Sequence, residues 1–341
     1  MKKKLAVVYN FAQLYREPIF KLIDKTWDCT WYFGKTDTDI KEMDTSLLKE
    51  VVFVNNKSII GPVQIQSCIG KVIRNPEVNK ILILGEPKVL STWWILMQKR
   101  LFFRKKKVYL WSHGWYGREG FVKKWIKRLF FGMADHVFTY GEYARNVAIE
   151  QGYDKDKITP IHNSLNHSVQ VSLRNQLSPS EIFSKHFENT QPTLLFIGRL
   201  TKIKRLDILI EALFRLKADG NVFNLVLIGD GECKDELQNL VREKGLSKEV
   251  WFFGKCYDDN EVAQLIYDAD LCVAPGNVGL TAMHAMVFGC PVLTHDNYSL
   301  QMPEFESIKQ DKTGSFFQYG DRDSLAEVIL DWFTKHKSDR D

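Results

Sequence analysis

The chain has 341 residues, a length that predicts two domains at about 100–200 residues per domain. Hydrophobic residues make up 45% and charged residues 26%, which excludes wholesale disorder and a fibrous repeat. The net charge is only +5, the six cysteines form no CxxC pair, and no run reaches the roughly 18 apolar residues of a membrane span. These features favour a reducing, cytoplasmic location and disfavour a disulfide framework or a zinc site.

Short apolar runs alternate with amphipathic stretches along the first half of the chain. The runs are rich in β-branched and aromatic residues and predict buried strands over Leu5–Tyr9, Val51–Val54, Ile81–Leu84, Val108–Trp111 and His136–Thr139. Apolar residues at helical spacing predict helices over Glu17–Lys25, Val89–Phe103, Phe121–Gly132 and Glu142–Gln151. The apolar run after the basic start MKKK is too short for a signal peptide, so it is expected to be the first strand.

The second half repeats this alternation. Strands are predicted over Thr193–Ile197, Asn224–Ile228, Val250–Phe253, Leu271–Ala274 and Pro291–Thr294. Helices are predicted over Lys204–Lys217, Glu232–Lys244, Asp258–Tyr267, Gly279–Phe288 and Asp321–His336. The alternation predicts an α/β protein with two Rossmann-like doubly wound domains, residues 1–165 and 193–320, facing a ligand cleft. The polar residues 166–192 are expected to join the domains, with Glu181–Phe187 as a candidate short helix.

The loop after the strand Thr193–Ile197 carries two cations ahead of a helix. Gly198 permits a tight turn, and Arg199 and Lys204 lie near the start of the helix, whose N–H groups and dipole favour an anion. This arrangement suits a diphosphate. The alternative interpretation is a pair of solvated surface charges.

Two further strand ends carry glycine-rich turns. The stretch LVLIGDGECKDEL supplies Gly229 and Gly231 of a dinucleotide fingerprint, but Lys234 occupies the third glycine position, which weakens a nicotinamide hypothesis. Farther along, the helix Gly279–Phe288 begins at Gly279, Leu280 and Thr281, whose N–H groups offer a second place for a phosphate. His284 within that helix is either a ligand contact or a packed residue.

These motifs together, in order from Thr193 to Phe317, resemble the retaining nucleotide-sugar glycosyltransferases of family 4, which have the GT-B fold. The resemblance implies that Arg199 and Lys204 clamp the diphosphate of a nucleotide-sugar donor, with no cofactor and no metal. It also implies donor contacts at Gly198, Gly254, Lys255, Cys256, Tyr257, Pro275, Asn277, Gly279, Leu280, Thr281 and His284. The N-terminal half matches only in pattern, as expected of a domain that binds a variable acceptor.

One departure from the family concerns two glutamates eight positions apart, which are replaced here by Gly276 and His284. A neutral histidine can share the later glutamate's contact with ribose hydroxyls. Glycine cannot replace the earlier one, which holds hydroxyls of the transferred sugar. Three explanations stay open: Asn277 substitutes, the donor is a deoxy sugar, or Glu304 and Glu306 supply the carboxylate.

Three residues of the N-terminal half are further candidates. His113 follows the strand Val108–Trp111, where the family often has a histidine that orients or polarises the transferred sugar. Arg16 and Glu17 follow the first strand in a loop that is expected to face the acceptor. Four DxD strings, at Asp37/Asp39, Asp154/Asp156, Asp268/Asp270 and Asp321/Asp323, do not follow apolar strands and are interpreted as surface charge.

The segment from Trp93 to Phe131 holds eleven Lys or Arg against one acid, Glu119, with aromatic residues interleaved. Such a composition predicts peripheral binding to an anionic membrane surface, where lipid-linked acceptors are found. A solvated basic face over an ordinary aromatic core is the alternative. Nucleic-acid binding is disfavoured because no recognised module accompanies the charge.

The sequence therefore predicts a retaining, metal-independent glycosyltransferase that moves a sugar from a nucleotide diphosphate to a glycan or lipid-linked glycan at the cytoplasmic face of the membrane. A nucleotide-sugar-binding protein without transferase activity and a nicotinamide-dependent enzyme are the alternatives. The last helix, within residues 321–341, is expected to pack back on the N-terminal domain.

Overall fold

The computed structural model describes residues 4–35, 41–67 and 69–336. The chain divides into two compact units, which meet in sequence at Asn166 and His167. The first DxD string, Asp37/Asp39, lies outside the described residues. Among those that are described, no helix has both the length and the apolar composition needed to cross a bilayer.

The first unit is built on a seven-stranded parallel sheet and a separate antiparallel hairpin. The strands of the unit are β1 Lys4–Tyr9, β2 Cys29–Phe33, β3 Val51–Phe53, β4 Asn56–Ile60, β5 Val63–Gln66, β6 Val78–Leu84, β7 Lys107–Ser112, β8 His136–Thr139 and β9 Ile158–Pro160. The sheet has the order β3-β2-β1-β6-β7-β8-β9, and β4 pairs with β5 in the hairpin. Ala6 and Val8 enter one buried cluster while Val7 and Tyr9 enter another, so both faces of β1 are covered.

The α-helices described in this unit are α1 Glu17–Thr26, α2 Ile69–Arg74, α3 Leu90–Leu101, α4 Phe121–Gly132 and α5 Glu142–Glu150. The bounds of α1, α3, α4 and α5 agree with the predicted helices to within two residues. The strands β2 and β9, the helix α2 and the hairpin β4–β5 were not predicted from the sequence.

The second unit has a six-stranded parallel sheet in the order β12-β11-β10-β13-β14-β15. Its strands are β10 Thr193–Ile197, β11 Asn224–Ile228, β12 Val250–Gly254, β13 Leu271–Ala274, β14 Val292–His295 and β15 Gly314–Phe317. Its helices are α6 His167–Arg174, α7 Ile182–Phe187, α8 Leu206–Ala218, α9 Lys234–Glu243, α10 Asp259–Asp268, α11 Leu280–Val287 and α12 Arg322–Lys335. The predicted fold class, two Rossmann-like α/β domains with parallel sheets, is confirmed.

Two segments differ from the prediction. The residues expected to form a linker contain α6, which packs on α10 and α11 of the second unit, whereas α7 agrees with the candidate short helix Glu181–Phe187 to within one residue. The last helix was expected to cover the N-terminal domain. In the described part of the chain, α12 packs on α8 and β15 and buries Leu325, Ile329 and Trp332 in the second unit.

Candidate functional site

The loop that follows β10 is fixed by main-chain hydrogen bonds to the neighbouring strand end. Gly198 donates its N–H to the carbonyl of Ile228 at 2.9 Å, and Leu200 donates to the carbonyl of Asp230 at 2.9 Å. These bonds hold residues 198–204, which carry both predicted cations, at the carboxyl edge of the sheet. Ligands of open parallel sheets bind at this edge.

Gly229 allows that close approach. It adopts φ +142°, and a Cβ atom there would lie 1.9 Å from the carbonyl oxygen of Gly198, so no larger residue fits. The glycine-rich turn after β11 had suggested a dinucleotide fingerprint. In the structure this turn allows the main chain of residues 198–204, the loop that carries Arg199 and Lys204, to pack closely against it.

Gly276 fixes the other end of the same loop. Its N–H donates to the carbonyl of Lys204 at 2.9 Å, and a Cβ atom there would lie 2.0 Å from the carbonyl oxygen of Ile203. A glutamate side chain cannot stand at this position while the loop keeps its path. The missing family carboxylate therefore has a steric cause in this chain.

Lys204 is half-buried between the loops that follow β10 and β13. Its Nζ atom donates to the carbonyl oxygen of Asn277 at 2.7 Å and to Oδ1 of Asn277 at 2.9 Å. Burial, and then the positive charge of Arg199, lower the pKa of Lys204 to about 8, while the negative charge of Glu304 opposes the shift. Two cations that repel each other at a strand edge form a site suited to an anion such as a diphosphate.

The start of α11 lies against the end of β10. The hydroxyl of Thr281 donates to the carbonyl of Ile197 at 3.0 Å, and Gly279 is the N-cap residue. The first-turn amides at Leu280 and Thr281 precede any carbonyl acceptor within the helix. Pro275 is buried at the end of β13. The structure thus brings the amides predicted to meet a phosphate to the strand end that precedes Arg199.

His284 is half-buried inside α11, where its ring centroid lies 5.7 Å from that of Phe288. Burial lowers the pKa of its imidazole, and the charge of Asp259 opposes the shift. The side chain is therefore neutral at physiological pH and can donate one hydrogen bond and accept another.

The predicted base-pocket residues occupy the loop between β12 and α10. Gly254 has φ +92°, and its carbonyl oxygen accepts the N–H of Gly229 at 2.8 Å, which joins this loop to the turn after β11. Lys255 Nζ lies 3.9 Å from Asp230 Oδ2, and Cys256 Sγ lies 3.1 Å from Glu261 Oε2. The ring of Tyr257 is 67% exposed, so it is accessible for stacking.

Two residues after β14 contribute to the site. Gln301, which the sequence analysis missed, is buried and accepts the N–H of Val278 at 2.8 Å through Oε1, while its Nε2 donates to the carbonyl of His295 at 2.9 Å. A single glutamine outside any periodic segment gives no pattern that could have revealed it. Glu304 is buried on the short helical turn Pro303–Ser307, whereas Glu306 is half-buried.

His113 lies in the first unit, in the loop after β7. Its ring centroid is 4.5 Å from that of Tyr140, and its Nδ1 atom is buried without a hydrogen-bond partner among the described residues. Burial, and then the charges of Arg16, Lys88 and Lys127, lower the pKa of His113 to about 4. The imidazole is neutral at physiological pH, so it is suited to orienting a polar group by hydrogen bonding.

Arg16, which was expected to face the acceptor from the loop after the first strand, has a buried side chain. The side chain is only 4% exposed, and its guanidinium lies 4.8 Å from the ring centroid of Trp111 and 5.0 Å from that of Tyr140. Its Nη2 donates to the Tyr140 hydroxyl at 2.7 Å. Aromatic faces and that hydroxyl replace water around the cation. Glu17 is the first residue of α1, where its charge suits the helix dipole.

Two of the DxD strings serve as helix caps. Asp154 accepts the N–H of Asp156, and Asp321 accepts the N–H groups of Asp323 and Ser324 at the start of α12. Within residues 4–35, 41–67 and 69–336, no three His, Cys, Asp or Glu side chains are grouped so that they could hold a metal ion.

Comparison with known proteins relates the second unit to glycosyltransferases. Residues 178–341, which include every strand described in the second unit, match the family model described as Glycosyl transferases group 1. The chain is 28% identical over 188 residues to the uncharacterized glycosyltransferase MJ1607 of Methanocaldococcus jannaschii, covering 52% of this chain and 46% of that protein. It is 24% identical over 185 residues to the poly(ribitol-phosphate) alpha-N-acetylglucosaminyltransferase of Staphylococcus aureus. The alignment covers 49% of this chain and 35% of that protein.

These alignments span about half or less of each relative's length. Among solved structures, Alr3699/HepE of Anabaena in complex with UDP is similar over 98% of this chain and 91% of its own, with a TM-score of 0.73 and 18% identity. The similarity establishes the fold. The family domain and the named relatives support the glycosyltransferase class that the sequence predicted.

Proposed function

We propose that this chain is a retaining glycosyltransferase that moves a sugar from a nucleotide diphosphate sugar to a glycan, without a metal ion. The observation that carries the proposal is the pair of cations on the loop after β10. Arg199 and Lys204 repel each other strongly enough to contribute to the lowered pKa of Lys204, and a bound diphosphate would relieve that repulsion.

Transfer of a sugar from a nucleotide diphosphate requires stabilisation of the negative charge on the leaving group. As the bond between the sugar and the diphosphate breaks, negative charge grows on the phosphate oxygens, and fixed cations stabilise it most in a water-poor site. Lys204 is already desolvated and held by Asn277, so little reorganisation is needed. In the retaining mechanism implied by the family resemblance, the departing phosphate takes the acceptor proton on the same face of the sugar.

UDP is our proposed nucleotide. The support is the similar fold of the Anabaena protein in its complex with UDP, together with the residues at the carboxyl edge of the second sheet. Lys255, Cys256 and Tyr257 would surround the base, and neutral His284 would take part in binding the ribose hydroxyls. The amides at the start of α11 would contact a phosphate oxygen.

The acceptor is proposed to be a glycan of the cell surface, carried on a lipid at the cytoplasmic face of the membrane. The support is that the Staphylococcus aureus relative is named as a transferase acting on a polymer, poly(ribitol-phosphate). His113, a neutral imidazole among aromatic rings, would orient the transferred sugar through hydrogen bonds.

The test is the loss of activity in Arg199→Ala and Lys204→Ala. Each variant should lose about 100-fold or more in the rate of UDP-sugar turnover, as removal of comparable charge-stabilising donors does. Lys202→Ala, an exposed lysine on the same loop, is the matched control and should keep its rate. Near-normal rates in both site variants would refute the assignment.

A nucleotide-sugar-binding protein without turnover is the second candidate, because Gly276 excludes the family carboxylate. Calorimetry of the wild-type chain with UDP, combined with an assay of donor hydrolysis and transfer, separates the two. Binding of UDP without turnover of any UDP-sugar, in the presence of mixed glycan acceptors, would favour the second candidate.

A further inference from the structure

Helix α4 presents apolar side chains to solvent along one face. Phe121 is 86% exposed, Val122 66%, Trp125 61% and Leu129 45%. At 3.6 residues per turn these four positions lie within an arc of about 100° around the helix axis. An exposed apolar stripe of this width is typical of a helix that contacts another apolar phase.

The remaining aromatic residues of α4 belong to the core. Phe130 and Phe131 are fully buried, which fixes the helix on the first unit with its apolar stripe outward. From the sequence, the aromatic residues between Trp93 and Phe131 fit either a membrane-binding segment or an ordinary aromatic core. In the structure some of these aromatic residues belong to the core and others are exposed. Trp93 packs on the core, whereas Trp125 does not.

Lys124 and Arg128 flank one side of this stripe. Both are exposed, and neither has an ion-pair partner among the described residues. Lys127 is different, because its Nζ lies 2.6 Å from Glu119 Oε1 and 2.6 Å from the carbonyl oxygen of Gly114. The charge that is accessible beside the apolar stripe is therefore positive.

A groove of about 350 Å³ runs along the same edge of the helix. Its walls include Trp115, Phe121, Trp125 and Tyr153, and Lys124 and Arg128 line it together with one acid, Glu150. Aromatic walls with two cations suit a group that is anionic at one end and apolar at the other, as a phospholipid is.

We propose that α4 docks on an anionic phospholipid bilayer. The four apolar side chains enter the interface between headgroups and acyl chains, and Lys124 and Arg128 hold a lipid phosphate at the groove. The docking depends on the first unit alone and holds whatever reaction the second unit performs.

The charges favour a bilayer over a second copy of the chain. In a twofold dimer formed through this stripe with the two copies of α4 antiparallel, Lys124 and Arg128 of one copy would lie near the same residues of the other, and their repulsion would oppose association. An anionic bilayer can contact the apolar stripe through its acyl chains and the two cations through its headgroups.

The experiment measures binding of the full-length chain to vesicles by sedimentation. Vesicles of equal parts phosphatidylglycerol and phosphatidylcholine should bind the chain, and vesicles of phosphatidylcholine alone should bind it much more weakly. Phe121→Ser/Trp125→Ser should lose about tenfold or more in partitioning, because two interfacial aromatic anchors are removed. Leu22→Ser is the matched control, since Leu22 is 58% exposed on α1 of the same unit.

The charge variants test the second part of the proposal. Lys124→Gln/Arg128→Gln should weaken binding to the anionic vesicles by about 25-fold, at roughly fivefold per basic residue near an anionic surface. Lys25→Gln/Lys57→Gln, two exposed lysines of the same unit, should bind as the wild type does. Unchanged thermal unfolding of each variant shows that the fold is intact.

Three results would overturn the proposal. One is equal vesicle binding by the Phe121→Ser/Trp125→Ser variant and the wild type. Another is a stable dimer in analytical ultracentrifugation that the same variant dissociates. The third is displacement of the chain from vesicles by a random oligonucleotide at equal charge concentration, which would point to nucleic acid as the partner.

Discussion

The Nζ atom of Lys204 lies 2.7 Å from the main-chain oxygen of Asn277 and 2.9 Å from its side-chain oxygen. The lysine from the loop after β10 is therefore held to the loop after β13. An ammonium group has three donors, so these two bonds leave capacity for one further acceptor, such as a phosphate oxygen.

Donor affinity should fall as the pH rises above about 8. The pKa of Lys204 in the unliganded chain is about 8, and the neutral amine formed above that pH attracts a diphosphate less than the ammonium does. Calorimetric titration with a UDP-sugar should show constant affinity near pH 7 and a fall of up to about tenfold per pH unit beyond the pKa. Lys204→Arg should remove this fall, because guanidinium stays charged. The same fall in the arginine variant would assign the titration to another group.

Glu304→Gln should move that fall in affinity to lower pH. The negative charge of Glu304 raises the pKa of Lys204, so its removal lowers the pKa below about 8. The measurement is the same titration, repeated in steps of pH. Glu306→Gln is the matched control, because Glu306 is not among the charges that shift Lys204. An unchanged profile in Glu304→Gln would argue against electrostatic coupling between the two groups.

Restoring the family carboxylate by Gly276→Glu should damage the protein. The new Cβ atom would lie 2.0 Å from the carbonyl oxygen of Ile203, so the loop that carries Arg199 and Lys204 must move. The free energy of unfolding should decrease by about 2 kcal/mol or more, as overpacked sites lose, and UDP affinity should decrease with it. Denaturant unfolding measures the first and calorimetry the second.

Gly279→Ala is the control for that experiment. The nearest atom to a Cβ at Gly279 is Met302 Cγ at 3.9 Å, an ordinary contact distance, so the free energy of unfolding should change little. A Gly276→Glu variant as stable as this control would contradict the steric explanation.

Arg16→Met should raise the pKa of His113 from about 4. The charge of Arg16 disfavours protonation of the imidazole, so an uncharged side chain of similar length removes part of that effect. The pKa can be measured by NMR titration of the His113 ring. Lys25→Met is the control, since Lys25 does not act on His113. A His113 pKa that stays at about 4 in Arg16→Met would show that the charge of Arg16 contributes little to the shift.

The second unit could be predicted from the sequence more fully than the first. The bounds of β10, β11 and β13 agree with the predicted strands, because each is a buried run followed by a glycine or proline turn. The burial of Arg16 could not be predicted, since it depends on aromatic rings from β1, β7 and the residue after β8, which come together only in the folded sheet.

The residues of the candidate site also differ in how far the sequence could predict them. The sequence pointed to Arg199 and Lys204, because two cations after a strand and a glycine form a local pattern. The steric reason for glycine at position 276 depends on the main chain of Ile203, more than seventy positions earlier. No local pattern contains that contact, and the supporting role of Gln301 depends on the tertiary fold in the same way.

Gly229 and Gly276 contact the two ends of the loop formed by residues 198–204, and the loop atoms that they contact belong to the backbone. Because this anchor does not involve the side chains of Thr201 and Lys202, substitutions at these two positions should leave the path of the polypeptide unchanged. Engineering of the loop should therefore keep the two glycines and vary Thr201 and Lys202.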